Sequence, residues 1–207
     1  MWNSGVDYQQ EKGWYRPKPA SGGGTTTFNP ADTAGTVTLS GGNLVQTGTG
    51  AGSSRTIASH STGKFFFEYV VGTGNAYEHA IGLANSTASL TVGPGSPDTN
   101  SLAYYEGDPL VYCAGGSIGS SGLTYVAGDT IDMAVDIGAG LVWVRQNGGN
   151  WNNSGSANPA TGTGGLSFTL TGPLFALGYV GASGRVNTFN FGGSAYAYAA
   201  PSGFGNF

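Results

Sequence analysis

The sequence predicts an all-β protein built as a two-sheet antiparallel sandwich. Three observations carry that expectation. Residues 64–71 and 130–136 alternate with a period of two. Further short apolar runs are separated by clusters of Gly, Asn, Asp and Pro. No glycine-free stretch has helical periodicity, and the richest run of helix formers, Ala195 to Ala200, is too short to stand alone and is interrupted by Tyr196 and Tyr198.

The two clearest strands define faces. In 64–71, Phe65, Phe67, Tyr69 and Val71 share one side, and Phe66, Glu68 and Val70 the other. In 130–136, Ile131, Met133 and Val135 oppose Thr130, Asp132, Ala134 and Asp136. Strands are also expected at 36–39, 43–46, 55–60, 78–84, 101–105, 110–113, 123–126, 141–146, 166–170, 174–180 and 186–191. Asn147-Gly148 follows a strand and supplies the positive φ of a hairpin turn. Gly138 and Gly140 bracket a second tight reversal, and Gly128-Asp129 introduces the strand at 130.

Composition bounds the function. The 207 residues suit one large β domain with a short appendage. Only 9% are charged and 39 are glycine, so Ser, Thr, Asn and Gly must make the solvated face. The net charge is −4. Lys12, Arg16 and Lys18 precede Thr25, which leaves four basic residues against nine acidic ones in the body. Such a body repels a phosphate backbone, so no nucleic-acid partner is expected. No basic amphipathic stretch and no apolar run of about 20 residues points to membrane insertion. The first ten residues hold no base and no apolar core, so a secretory signal is not expected. Cys113, the one cysteine, lies in Leu110-Val111-Tyr112-Cys113 and reads as a small buried hydrophobe.

The chain divides into 1–24 and 25–207. The first part carries Trp2, Tyr8, Trp14 and Tyr15, then Pro17-Lys18-Pro19 and Ser21-Gly22-Gly23-Gly24. Proline stiffens and glycine loosens, so its end reads as a linker. Four large aromatics suit a segment that docks on another protein subunit, with those four residues as anchors.

Six ordered segments resemble one family. They are Gly63-Lys64-Phe65-Phe66-Phe67-Glu68, Ala80-Ile81-Gly82-Leu83-Ala84, Ala103-Tyr104-Tyr105-Glu106-Gly107, Gly128-Asp129-Thr130-Ile131-Asp132-Met133-Ala134-Val135-Asp136, Leu141-Val142-Trp143-Val144 with Asn147-Gly148, and Gly172-Pro173-Leu174-Phe175-Ala176 with Val186 to Gly192. Together they are similar to the SPRY domain family, across about residues 27 to 192. Glu106 stands where the family's turn has Asp, and the Trp-rich early motif of the vertebrate branch is missing. The Gly/Ser/Thr/Asn loops, and Trp151 through Gly165, look like the microbial and phage branch. The resemblance implies a concanavalin A-like β-sandwich that recognises partners with its edge loops.

Catalytic signatures are weak. The concanavalin-like class includes glycanases whose catalytic strand reads Glu-x-Asp-x-Glu. Asp132-Met133-Ala134-Val135-Asp136 lacks the central acid. Asp132 and Asp136 fall roughly 13 Å apart along a strand, outside the spacings for retaining or inverting hydrolysis. Carboxylates from different strands are still able to meet. Gly115-Gly116-Ser117-Ile118-Gly119 matches a nucleophile elbow, but no helix is expected after it. Only His60 and His79 offer a base. Asp98 and Asp108 form no calcium ladder. No catalytic residue, metal or cofactor is expected.

Ligands are expected on the loops 85–100, 114–122 and 146–165. Trp151, flanked by Asn150, Asn152 and Asn153, resembles a sugar platform, where a ring stacks and amides bond hydroxyls. Tyr104, Tyr105 and Asp108, with Glu106, form a second exposed candidate. Competing readings make Trp151 a plug at the sandwich end and Tyr105 a core or edge residue. The resulting expectation is a non-enzymatic structural and recognition protein on the surface of a bacteriophage-like particle, assembled in the host cytoplasm. Its N-terminus joins other particle subunits, its loops bind a host-surface glycan or protein, and a homo-oligomer is compatible with that arrangement. The alternatives are a cellular SPRY-type interaction module, and a lectin-like or glycanase-derived carbohydrate-binding domain.

Overall fold

A computed structural model describes residues 25–75 and 77–207. The anchors Trp2, Tyr8, Trp14 and Tyr15 and the linker lie outside the described residues. In chain order the strands are β1 (Phe28–Thr33), β2 (Val37–Ser40), β3 (Val45–Gly48), β4 (Gly52–His60), β5 (Lys64–Val71), β6 (His79–Ala84), β7 (Ser101–Tyr105), β8 (Leu110–Cys113), β9 (Gly116–Ser120), β10 (Thr130–Asp136), β11 (Leu141–Gln146), β12 (Leu166–Ser167), β13 (Leu174–Val180), β14 (Val186–Asn190) and β15 (Gly205–Asn206). Single 3-10 turns at Trp151–Asn153 and Pro159–Thr161 are the helical elements among the described residues.

Two sheets form the sandwich. The seven-stranded sheet runs β1-β4-β13-β6-β7-β8-β9. The eight-stranded sheet runs β12-β11-β10-β5-β14-β3-β2, with β15 added beside β5. All pairings are antiparallel except β15 on β5. Between the sheets lie the inward residues of the alternating strands: Phe67, Tyr69 and Val71 of β5, Ile131, Met133 and Val135 of β10, Ile81 and Leu83 of β6, and Leu102 and Tyr104 of β7. Cys113 joins this core, and burial raises its thiol pKa. Burying each large apolar side chain stabilises the fold by about 1.5–3 kcal/mol.

The hairpin signals are realised. Asn147 and Gly148 adopt φ of 49° and 69°, the left-handed pair of a tight turn between β11 and the following loop. Gly82 has a different reason: a Cβ there would sit 1.9 Å from the Leu102 carbonyl oxygen, so β6 and β7 approach closely only because Gly82 has no side chain.

Four strand boundaries differ from the sequence reading. Residues 116–120, expected as loop, form the edge strand β9, which has no buried face to demand apolar residues. Residues 123–126, expected as a strand, are an extended loop without a ladder partner. Tyr125 supplied the apolar signal, and its ring is buried in the core. Phe28–Thr33 is not among the expected strands, yet β1 forms as an edge strand with an irregular register, where Pro30 is tolerated. The strand expected at 166–170 ends at Ser167.

After β14 the chain crosses the outer face of the eight-stranded sheet and returns as β15. There Gly205 pairs with Phe65 and Asn206 with Phe66, filling the stretch of β5 that β14 leaves at Glu68. Phe207 ends in the core. Residues 193–207 therefore act as a strap.

Candidate functional site

The expected site residues Trp151, Asn152, Tyr104, Tyr105 and Asp108 do not form an exposed ligand surface. Trp151 is only 9% exposed. It packs with Phe66, Ala134 and Trp143 on the outer face of the eight-stranded sheet, and the Arg145 guanidinium lies 4.4 Å from its ring. An outward-facing aromatic pair on a sheet needs a cover, and the loop 147–165 provides it. Asn152 has both ends of its amide occupied: the oxygen accepts from the Val144 N–H at 3.0 Å and the amide donates to the Gly164 carbonyl at 2.8 Å. Both groups are committed to pinning the loop on β11.

Tyr104 is fully buried between the sheets. Its hydroxyl donates to the Leu123 carbonyl at 2.8 Å, while the Tyr125 hydroxyl donates to the Tyr104 carbonyl at 2.8 Å. Burial pushes the Tyr104 phenol up to about 12. Asp108 is a buried turn residue that accepts from the Leu110 N–H at 2.9 Å and from the Tyr112 hydroxyl at 2.8 Å. The expectation of exposure fails for a common reason. Polar and aromatic residues at strand ends satisfy the turn's own backbone before any ligand arrives.

Tyr105 differs. It sits on the opposite side of β7 from Tyr104, on the outer face of the seven-stranded sheet. That face is lined by the small residues Ala80, Ala84 and Ala103 with Leu177. The loop 85–100 folds onto it. Arg55 clamps that loop, donating to both Asp32 oxygens at 2.8 and 2.7 Å and to the Asn85 carbonyl. Asp98 ties it internally through the Ser89 and Asn100 N–H groups. Gly95, at φ 74°, lies so close to Tyr112 that a Cβ would meet its carbonyl oxygen at 2.7 Å. The loop covers part of the sheet and leaves a pocket of about 310 Å³.

Tyr77, Tyr105, Tyr112, Tyr179 and Ser96 line this pocket. Tyr105 is its floor, with the hydroxyl donating to the Pro94 carbonyl at 2.7 Å. Its ring centroid lies 6.1 Å from Tyr112 and 5.8 Å from Tyr179, each at an interplanar angle of 77°. Tyr77, 57% exposed and at φ 67°, closes the rim 6.3 Å from Tyr105. Sequence reasoning missed Tyr77, Tyr112 and Tyr179. Tyr112 and Tyr179 were readable as large aromatics on the non-core side of alternating strands, opposite Val111 and Cys113 in β8 and Ala176 in β13.

Two buried acid sites lie elsewhere. Glu68 and Asp132 are cross-strand partners on the outer face of the eight-stranded sheet. Both are buried. Glu68 accepts from the Ala197 N–H and the Asn190 amide. Arg145 bonds Asp132 and also the Ala199 carbonyl. Burial, opposed by Arg145, pushes Asp132 up to about 7. The group is a latch for the strap. Asp136 is not part of it and lies 3.5 Å from Lys64. Between the sheets, His79 and Glu106 approach at 3.7 Å, and burial pushes Glu106 up to about 7. Ser117 lies on β9 of a hairpin, so its Gly-x-Ser-x-Gly match has no strand-to-helix elbow. No group of three metal-binding side chains occurs among the described residues, and no described helix is long and apolar enough to cross a membrane.

No family model matches the sequence, and no curated protein matches it. Solved structures do match the fold. The SPRY domain of human HERC1 superposes with a TM-score of 0.61 at 12% identity, covering 81% of this chain and 99% of that one. The PSpry domain of TRIM65 gives a TM-score of 0.57 at 14% identity, covering 80% of this chain and 91% of that one. With nearly all of two SPRY domains reproduced in its paired antiparallel sheets, this chain has the SPRY fold.

Proposed function

We propose that the chain is a non-catalytic recognition module that binds a partner protein through the tyrosine-lined pocket and the loops around it. The observation that carries this reading is the pocket itself. It is an aromatic concavity held between clamped loops on the outer face of the seven-stranded sheet. Aromatic residues in pockets supply most of the binding energy at protein interfaces. Besides Tyr77 at the rim, Val126 is an exposed apolar side chain. The SPRY fold is consistent with an interaction role. The Glu68–Asp132 pair favours a structural over a hydrolytic role, because Asp132 is fully buried and bonded to Arg145 while Glu68, at the edge of a pocket of about 360 Å³, is occupied by the Ala197 N–H and the Asn190 amide. Steady release of reducing ends, abolished by Glu68→Gln, would overturn that part.

A photocrosslinking benzoylphenylalanine in place of Tyr77 tests the interaction. One dominant protein adduct is expected, lost when Tyr179→Leu is added. Equal adducts from the same probe at position 57, exposed on β4 away from the pocket, would refute the reading. The sugar-platform reading loses its support, since Trp151 and Asn152 are engaged within the fold. Display on a bacteriophage-like particle, membership of a microbial branch and docking by residues 1–20 are finer proposals. They rest on the Gly/Ser/Thr/Asn surface and the aromatic N-terminal segment. Native mass measurement of the source assembly tests the display and the docking, and a chain recovered only as a free monomer would count against both.

A further inference from the structure

We propose that the tyrosine pocket is an aromatic cage for a weakly hydrated cation, the side chain of an arginine or an N-methylated lysine on the partner protein. This inference rests on the recognition reading above and names what the pocket recognises. Four observations carry it.

The first is ring geometry. Tyr105 forms a floor, and Tyr112 and Tyr179 stand at 77° to it as walls within about 6 Å. Tyr77 is tilted at 49° over the rim. A cation attracted by aromatic quadrupoles is held within about 6 Å of ring centroids. An arrangement of floor, walls and rim offers that distance from several sides at once.

The second is charge. The body from Thr25 onward has nine acidic residues against four basic ones. Asp108 is the acid bonded directly to a cage ring, through the Tyr112 hydroxyl, whereas Glu78 beside Tyr77 is paired with Arg185 and Glu106 turns inward between the sheets. The cation of this region, Arg185, is paired with Glu78. The field over the pocket therefore favours a positive ligand.

The third is the state of the rings. The Tyr112 hydroxyl donates to the Asp108 carboxylate, which enriches the ring in electron density. Asp108 holds that phenol above its ordinary range, and burial followed by the Glu78 charge does the same for Tyr179. Tyr112 and Tyr179 therefore stay neutral phenols at physiological pH.

The fourth is what the lining lacks. Among the described residues the lining is four tyrosines and Ser96, with no carboxylate among them. A primary ammonium would lose strongly held water without meeting an anion. A guanidinium or a methylated ammonium is less hydrated and stacks on aromatic faces. A phosphate or carboxylate ligand finds neither a cation nor a helix N-terminus in the lining.

The test uses the full chain and three probes followed by tyrosine ring shifts in NMR: N-acetyl-trimethyllysine amide, N-acetylarginine amide, and the neutral tert-butyl isostere of the first. Saturable binding of a cationic probe is expected, with the isostere at least about fivefold weaker. Tyr105→Leu should abolish the shifts at the remaining rings, whereas Tyr105→Phe, which keeps the ring, should retain most of the affinity. Tyr77→Leu, at the exposed rim, gives the same test without risk to folding and should weaken binding by about threefold or more. An isostere that binds as tightly as the cation, cation binding indifferent to both leucine variants, or no saturable binding would overturn the proposal. If the Tyr77 crosslink succeeds while no cation binds, the recognition reading stands and the cage falls. If cations bind but no protein adduct forms, the partner-borne source is overturned and the pocket belongs to a free organic cation.

Discussion

The two sheets of this sandwich treat their outer faces differently. The eight-stranded sheet carries large rings outward, Phe66 and Trp143 with Trp151 above them, and the chain itself covers them. The loop 147–165 is pinned by the Trp143 indole donating to the Thr163 carbonyl at 2.8 Å. The strap is pinned by the Tyr196 hydroxyl donating to the Phe66 carbonyl, and by Glu68 and Arg145. The seven-stranded sheet carries small residues outward, and the loop 85–100 lies close enough to cover only part of them. Its rings, Tyr105, Tyr112 and Tyr179, line a pocket instead of a seam. A sheet with two apolar faces must cover both. Where the cover is complete the aromatics contribute stability, and where it stops short they remain available for a ligand.

That contrast is open to attack from both sides. The largest expected effect is Trp143→Ala, which opens a cavity under the covered face. A loss of about 3–5 kcal/mol in urea unfolding is expected. If the loss is under about 1 kcal/mol, the seam is not what holds loop and strap. Next is Arg145→Leu, which leaves Asp132 buried without its partner and frees the Ala199 carbonyl. A cost of about 3 kcal/mol is expected, with faster amide exchange at residues 195–200.

Third is pH. Asp132 and Glu106 have ordinary values near 4, and in the folded chain both stand at about 7. Between those limits the native state holds protons that the unfolded state releases, so stability falls as pH rises. The contribution is complete below about pH 4 and is lost as pH climbs through 7. Burial holds His60 and His79 below the ordinary imidazole value of 6.5, which opposes the acids at lower pH, so the acids are read between pH 6.5 and 8, where unfolding free energy should fall by an amount on the order of 1 kcal/mol. Asp132→Asn should flatten part of that slope. A protein more stable at pH 8 would show that Arg145 outweighs burial. The smallest effect is Tyr77→Ala on the open face. It should change stability by no more than about 0.5 kcal/mol while removing partner binding. A large loss of stability there would make the pocket rim structural and erase the difference between the faces.

Much of the architecture is local and therefore legible in the residues. Period-two alternation at 64–71 and 130–136 reports which side chains face inward, because successive side chains of a strand point to opposite faces. Asn147-Gly148 specifies a left-handed turn wherever it is placed. Ala134 stands where a glycanase strand has its central acid, a departure visible without coordinates. Other features arise only when distant segments meet. Glu68 and Asp132 became a pair through the register of β5 on β10, which no spacing within either strand encodes. Trp151 looked like a platform because its neighbours are amides, and it became a seal because Phe66 and Trp143 lie beneath it. Tyr77, Tyr105, Tyr112 and Tyr179 come from a turn and three strands. Their convergence depends on strand order and on how far the loop 85–100 reaches. Periodicity determined which face each residue takes, whereas register, crossover and cover, being contacts between segments far apart in the chain, decided which of those faces stayed open.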